Sequence, residues 1–217
     1  AKGNPIYFKA DGTRVQALLP GASYAVFNEA NPADVSVPGS ISAITDREIL
    51  GQSLPKYFGG FNSNMSYKNF DLGFLFRFSG GNKIFNATRR ELLNTNFTNN
   101  GTEILGRWQS VDNPGDGVTP RLYALSNTTS NLTSVATSRF LEDGDFIRLD
   151  NITLGYSLPK TITDQIGISK MRMFVQAQNV WVITDYRGLD PEQEAAGVDL
   201  NGTPISSVFS FGLNVGF

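Results

Sequence analysis

The sequence predicts an all-β chain, antiparallel and membrane-spanning, that forms part of a β-barrel. Three observations carry that expectation. Several segments alternate apolar and polar side chains with the period of two that puts successive residues on opposite faces of a strand. No run approaches the roughly 18 to 20 apolar residues a spanning helix requires, so only strands could make a membrane passage. The closing segment places Ser207, Phe209, Phe211, Leu213, Val215 and Phe217 on one face and Ser206, Ser210, Gly212, Asn214 and Gly216 on the other, with only Val208 out of pattern. A soluble sheet can alternate in this way, but an apolar stripe ending on an aromatic residue is a habit of bacterial outer-membrane barrels.

Taken in chain order, residues 1–56 read as a loop-rich lead-in, because Asp11-Gly12, Pro20-Gly21, Asn31-Pro32 and Pro38-Gly39 are turn signals. Tyr57 to Tyr67 then sets Tyr57, Phe61, Met65 and Tyr67 against Asn62, Asn64 and Ser66, and Lys68-Asn69 is a tight hairpin turn. Asn69 to Ser79 is the clearest internal strand, with Phe70, Leu72, Phe74, Phe76 and Phe78 on one face. At about 3.3 Å per residue that band covers roughly 26 Å, close to a tilted crossing of the hydrocarbon core. Asp145 to Ser157 changes phase between Leu149 and Ile152, so a bulge near Asp150-Asn151 is expected to restore one face. Met171 to Val182 alternates again, and Trp181 near its end suits an aromatic girdle.

Barrels keep both termini in the periplasm, so the closing strand runs inward and the others alternate in direction. That parity puts the connections at about 80–144 and 183–205 outside and those at 68–69 and 158–169 inside, which matches the rule that long loops are extracellular. Five strands do not close a barrel, since the smallest use about eight. Residues 57–217 are therefore expected to be the carboxyl-terminal transmembrane strands of a larger barrel. The alternative is a small complete barrel with weak strands hidden in 6–19, 104–111 or 119–126.

Composition narrows the function. The chain has 16 Phe, 7 Tyr and 22 Gly, a net charge of −2, and no histidine or cysteine. Its Lys and Arg residues are scattered, which argues against nucleic acid as a partner. Without histidine there is no imidazole base and the commonest transition-metal ligand is missing; without cysteine, thiolate nucleophiles and zinc–thiolate sites are excluded. Ala1-Lys2-Gly3-Asn4-Pro5 has neither the charged nor the apolar region of a signal peptide, so the expectation is that one was removed or that the chain is a later segment. Gly59-Gly60 and Gly80-Gly81 lack the Lys-Ser/Thr of a phosphate loop.

Ile49 to Gly60 (ILGQSLPKYFGG) and Ser66 to Leu72 (SYKNFDL) resemble the run entering the late strands of the SusC/RagA-type TonB-dependent transporters. Ser138 to Leu149 (SRFLEDGDFIRL) and Asn151 to Pro159 (NITLGYSLP) are similar to the most distinctive signature of that family's carboxyl end. Gln178-Asn179-Val180, Gly188 to Glu192 (GLDPE) and the closing Phe-x-Phe-x-Leu-x-Val-x-Phe follow in the expected order. The resemblance covers about residues 45–217. It implies the last strands of a barrel of roughly 22 strands, a plug domain elsewhere in the whole protein, a SusD-like lipoprotein as lid, energy from TonB through an amino-terminal part, and import of oligosaccharides or peptides. It also implies an outer-membrane setting, with lipid as a partner, and Phe209, Phe211, Leu213, Val215 and Phe217 as the strand read by the barrel-assembly machinery. A SusC-like barrel that has become a structural scaffold, and a small self-contained barrel, are the competing readings.

Outer-loop residues suited to contacting a substrate or lid protein are Trp108, Arg121, Tyr123, Tyr186 and Asp190, although in such loops aromatics also anchor the fold and charges are commonly solvated. Asp112 and Asp116 in one turn, and Glu142, Asp143 and Asp145 in another, set carboxylates around glycine as calcium sites do, without the EF-hand spacing. Turn chemistry is the default for both, and no cofactor is otherwise expected. Asp190, Glu192 and Glu194 are glycosidase acids by type only, since nothing places them across a cleft; no enzyme is expected.

Overall fold

The computed structural model of the chain describes residues 3–18, 23–93, 99–122, 137–192 and 196–217. They form two compact units, Ala1–Gly51 with Asn86–Leu141 and Gln52–Phe85 with Glu142–Phe217.

In the first unit β1 (Ile6–Phe8), β2 (Arg14–Leu18), β3 (Ser23–Val26) and β4 (Pro38–Gly39) form a sheet in that order. Val15, Ala17 and Ala25 are buried in it, and the buried Gln16 donates through Nε2 to the carbonyls of Pro32 and Asp34. The lead-in is thus not merely loop. Its turn signals are real, and Asp11 Oδ1 accepts the Thr13 N–H at 2.8 Å beside Gly12 at φ 82°; the strands between them are simply too short to show an alternation. Later in this unit, α1 (Ala87–Leu92) follows β7 (Lys83–Asn86), and the Asn86 side chain caps it by accepting the Arg89 N–H at 2.7 Å. A 3₁₀ turn occupies Thr102–Gly106, so the start of 104–111 is not the weak strand that the small-barrel alternative requires. Phe140 is fully buried, with the Arg89 and Arg139 guanidinium groups against its ring, and Arg89 holds Glu103 through two hydrogen bonds of 2.8 and 2.6 Å.

The second unit is built on five long strands: β5 (Tyr57–Tyr67), β6 (Phe70–Gly80), β9 (Phe146–Ser157), β10 (Lys170–Thr184) and β12 (Val208–Gly216). They form one antiparallel sheet in the order β12-β10-β9-β6-β5. Lys68, at φ 55°, begins the two-residue turn between Tyr67 and Phe70. A short α2 (Lys160–Thr163) lies in the connection between β9 and β10. Between β6 and β9, β8 (Leu141–Asp143) joins β7 and β11 (Val198–Asp199) in a small sheet of order β11-β7-β8.

The expected bulge is present. Leu75 faces Asn151 while Phe76 faces Leu149, so Asp150 is the extra residue on β9. On β10 the same level holds Asn179 and Val180 between Gln178, opposite Asn151, and Trp181, opposite Leu149; Asn179 takes φ 50°, which asparagine tolerates better than most residues. With the phase restored, one face of the sheet is apolar across all five strands, including Phe61 and Met65, Phe70 to Phe78, Leu154 and Ile147, Val175 and Trp181, and Phe209 to Val215. Much of it is exposed, with Phe209 73% and Phe211 70% accessible. An apolar face this broad is far outside what a water-soluble surface carries and fits hydrocarbon. No helix among the described residues is long and apolar enough to cross a membrane.

The opposite face is polar, with Asn62, Asn64, Ser66, Asn151, Thr153, Gln176, Gln178, Ser210 and Asn214 in register rows. Toward the end nearer the Lys68-Asn69 turn, Arg172 on β10 reaches across β9 to grip Asp71 on β6 with both branches of its fork. Gly155 lies beneath, and a methyl group there would overlap both side-chain ends. The Phe174 ring likewise covers Gly212 of β12. Gly155→Ala should therefore displace the ion pair rather than the backbone and cost about 1 kcal/mol. The loss should vanish in an Asp71→Ala/Arg172→Ala background; unfolding midpoints of the intact barrel, combined as a double-mutant cycle, check this.

Candidate functional site on the polar face

Arg77 on β6 and Arg148 on β9 are register partners, so strand pairing sets two guanidinium groups side by side. Like charges directly opposite are destabilising unless neutralised. Three carboxylates converge on them. Asp150, supplied by the bulge, accepts from Arg77 Nη2 at 2.9 Å. Asp190 accepts from Arg148 Nη2 at 2.7 Å, and Glu192 accepts from Arg77 Nη1 at 2.9 Å. Glu192 Oε2 also stands 2.7 Å from Arg148 Nε, as an electrostatic contact without hydrogen-bond alignment. The Asp190 carboxylate further accepts the Glu192 N–H at 2.9 Å, so the GLDPE segment is wound around one acid to aim the next. Arg148 and Asp190 are almost wholly enclosed, their side chains 4% and 8% exposed, and Arg148 rests on the Phe146 ring.

The strap after β10 is braced at its root. Thr184 donates to the Asp145 carbonyl at 2.7 Å and accepts the Tyr186 N–H. Buried Tyr186 donates to Asp199 at 2.5 Å; burial first, and then that hydrogen bond, push its phenol far above its ordinary range. Beside the strap is a cavity of about 490 Å³, whose walls include Leu54, Phe58, Arg77, Phe146, Pro191 and Glu192.

The acids of the Glu142 to Asp145 turn are occupied in the same way. Glu142 accepts the Arg187 N–H at 2.9 Å, Asp143 pairs with Lys83 at 2.6 Å, and Asp145 accepts from Gly81 N at 2.7 Å and from the Tyr57 hydroxyl at 3.2 Å. Gly144 leaves room for the Asn82 amide. These residues tie together the ends of β5, β6, β9 and β10 that lie away from the Lys68-Asn69 turn. Among the described residues no three His, Cys, Asp or Glu side chains gather as metal ligands.

In the first unit the Trp108 ring lies on Gly3, and the Trp108 backbone N–H donates to the Thr119 carbonyl at 2.9 Å. Arg121 donates its backbone N–H to the Gly3 carbonyl. Asp116 closes its own loop, accepting from Val118 N at 2.8 Å, Thr119 N at 2.6 Å and the Thr119 hydroxyl at 2.7 Å. Desolvation raises its pKa, yet the hydrogen bonds from Thr119 and Val118 prevail and hold it below the ordinary carboxylate value. Asp112 is exposed in the same loop. Tyr123 and Glu194 lie outside the described residues. Phe209, Phe211, Leu213 and Val215 all stand on the apolar face of β12, and Phe217 just beyond it is 97% exposed.

The structure thus separates the candidates proposed from loop position. Tyr186 and Asp190 are interior struts, Trp108 and Asp116 shape a loop, and Asp190 and Glu192 converge on arginines. The cluster around Arg77, Arg148 and Asp150 was missed because it depends on which strands are neighbours and in what register.

Comparison with known proteins matches this architecture. A TonB-dependent receptor P3 of Formosa agariphila is 32% identical over 196 residues, which are 85% of this chain and 18% of that protein. The chain belongs to the SusC/RagA-type TonB-dependent receptors. The TonB-dependent receptor SusC of Bacteroides thetaiotaomicron is 32% identical over 161 residues, 73% of this chain and 15% of SusC. Structures of the RagAB peptide importer in its open-open and closed-closed states share the fold, with TM-scores of 0.66 and 0.67 at 24% and 23% identity, covering 99% of this chain and 22% of theirs. No family profile matches the chain. It spans about a fifth of the length of the relatives it matches, so what it holds of a SusC-type receptor is a portion of the barrel with its loops.

Two outcomes follow for this receptor. Arg148→Ala leaves the enclosed Asp190 without its guanidinium partner and should cost about 3–5 kcal/mol, whereas Lys83→Ala at the surface should cost at most about 1 kcal/mol; thermal unfolding of the intact barrel distinguishes them. Because the folded-state pKa of Asp116 is depressed, its contribution is fully present above the unfolded value of 3.8 and is lost as pH falls through the lower folded value. The protection factor of the Thr119 amide, its exchange corrected for the intrinsic pH dependence, should therefore be unchanged from pH 7 to 5 and fall only below about pH 4.

Proposed function

We propose that the chain supplies the carboxyl-terminal strands and outward loops of a SusC-like outer-membrane transporter. That transporter imports oligosaccharides or peptides, with a SusD-like lipoprotein as its lid and TonB as its energy source. The observation that carries this reading is the five-stranded sheet with one apolar and one polar face and no partner on the outer edge of β5 or β12 among the described residues. Backbone groups cannot be left unpaired in hydrocarbon, so both edges call for further strands of the same barrel. The polar face then lines the lumen, and the strap after β10 lies over its outward mouth.

In cells producing the whole transporter, uptake of labelled glycan or peptide should fall to background when TonB is deleted. The transporter, extracted in mild detergent, should bring a SusD-like lipoprotein with it. Uptake that is indifferent to TonB would overturn the import reading and leave a scaffold barrel.

A further inference from the structure

We propose that the Arg77–Glu192 contact is an exchangeable latch. A carboxylate carried on an apolar or pyranose body enters the adjoining cavity, takes the place of Glu192 on the Arg77 guanidinium, and frees the Pro191–Glu192 end of the strap. The proposal rests on reading this face as the barrel lumen, and four observations favour it. First, the register pairing of Arg77 with Arg148 demands anions at this level whatever their source. Second, the carboxylates that answer are unequally held. Asp190 is enclosed with Arg148 at 8% and 4% side-chain exposure, while Asp150 at 25% and Glu192 at 21% both meet the more open Arg77 at 39%; Asp150 is fixed within a paired strand and Glu192 is carried on the strap, so exchange is easiest at Arg77–Glu192. Third, Glu192 is divided between two guanidinium groups, with aligned hydrogen bonds only to Arg77 at 2.9 and 3.3 Å. An incoming carboxylate answering to Arg77 alone could take Nη1 and the N–H of Nη2 that Asp150 does not use, a bidentate geometry that guanidinium favours. Fourth, Arg77 and Glu192 both border the cavity, whose other walls include Leu54, Pro55, Phe58 and Phe146. These offer an apolar seat for the body behind the carboxylate.

The exchange is isoelectric, one carboxylate for another, so it leaves no buried charge uncompensated. Arg148 keeps Asp190, and Arg77 keeps Asp150. The strap stays rooted by Tyr186 and Asp199 while its Glu192 end moves. The same chemistry could come from a peptide carboxyl terminus or from an acidic sugar.

The test uses the whole transporter in detergent and reads hydrogen exchange at the Glu192 amide, which donates to Asp190 in the latched form. The probes are N-acetylphenylalanine and glucuronate, each beside its uncharged twin, N-acetylphenylalaninamide and glucose. At least one acid should accelerate exchange about fivefold or more while its twin does nothing, and the responding acid identifies the source. Glu192→Gln removes the competitor and should tighten binding of that acid about tenfold by calorimetry, whereas Arg77→Gln should abolish it. Silence from both acids, equal action of the neutral twins, or an unchanged affinity in Glu192→Gln would overturn the latch. Because binding rather than uptake is read, such a failure leaves the import reading intact, and a loss of uptake alone does not touch the latch.

Discussion

Every backbone N–H and carbonyl in a lipid-embedded sheet must find its partner in another strand, and the rest of this molecule depends on that constraint. It makes the five strands long and continuously paired, with up to 15 residues in β10. It also removes the freedom to adjust. Once the ladders are set, the side-chain rows are set with them, including rows that would not be chosen for their own sake, such as Arg77 beside Arg148. The acidic strap, the bulge aspartate and the enclosed Asp190 are answers to a charge problem that pairing creates.

A second theme is the use of glycine as space for a neighbour. Phe174 covers Gly212, Tyr57 covers Gly80, and the Asp71–Arg172 pair bridges the strand between them above Gly155. These are register partners or near neighbours across the ladder, so each large side chain has its room reserved one strand away.

The five long strands, their turn at Lys68-Asn69 and the bulge were legible in the sequence because a face buried in hydrocarbon writes itself as strict alternation. Even the failure of alternation after Leu149 was informative, since only an extra residue could reconcile the two halves. Of the short strands β1 to β4, only the stretch 6–19 could be marked as a place for weak strands: two to five residues whose burial comes from tertiary contacts leave no periodic trace. The arginine cluster was legible only in part. Arg77 could be assigned to the polar face, but its opposition to Arg148 needs strand order, and the docking of Asp190 and Glu192 needs the path of a loop that no period describes. Asp190 and Tyr186 looked like surface residues available to a ligand because polar and aromatic loop residues usually are; burial against Arg148 and Asp199 assigns them to the interior instead.

The bulge at Asp150, answered by Asn179 and Val180 on the next strand, has a consequence for how such barrels change over generations. It divides each of the two strands into halves whose parity is independent. A deletion or duplication of one codon within either half would turn every side chain beyond it to the wrong medium, apolar residues to water and amides to lipid. At the bulge itself, loss of one residue would do the same unless the neighbouring strand lost its own surplus too. Length variation in this part of the chain is thus confined to loops and to paired events at this single level, while simple substitution remains open along the whole sheet.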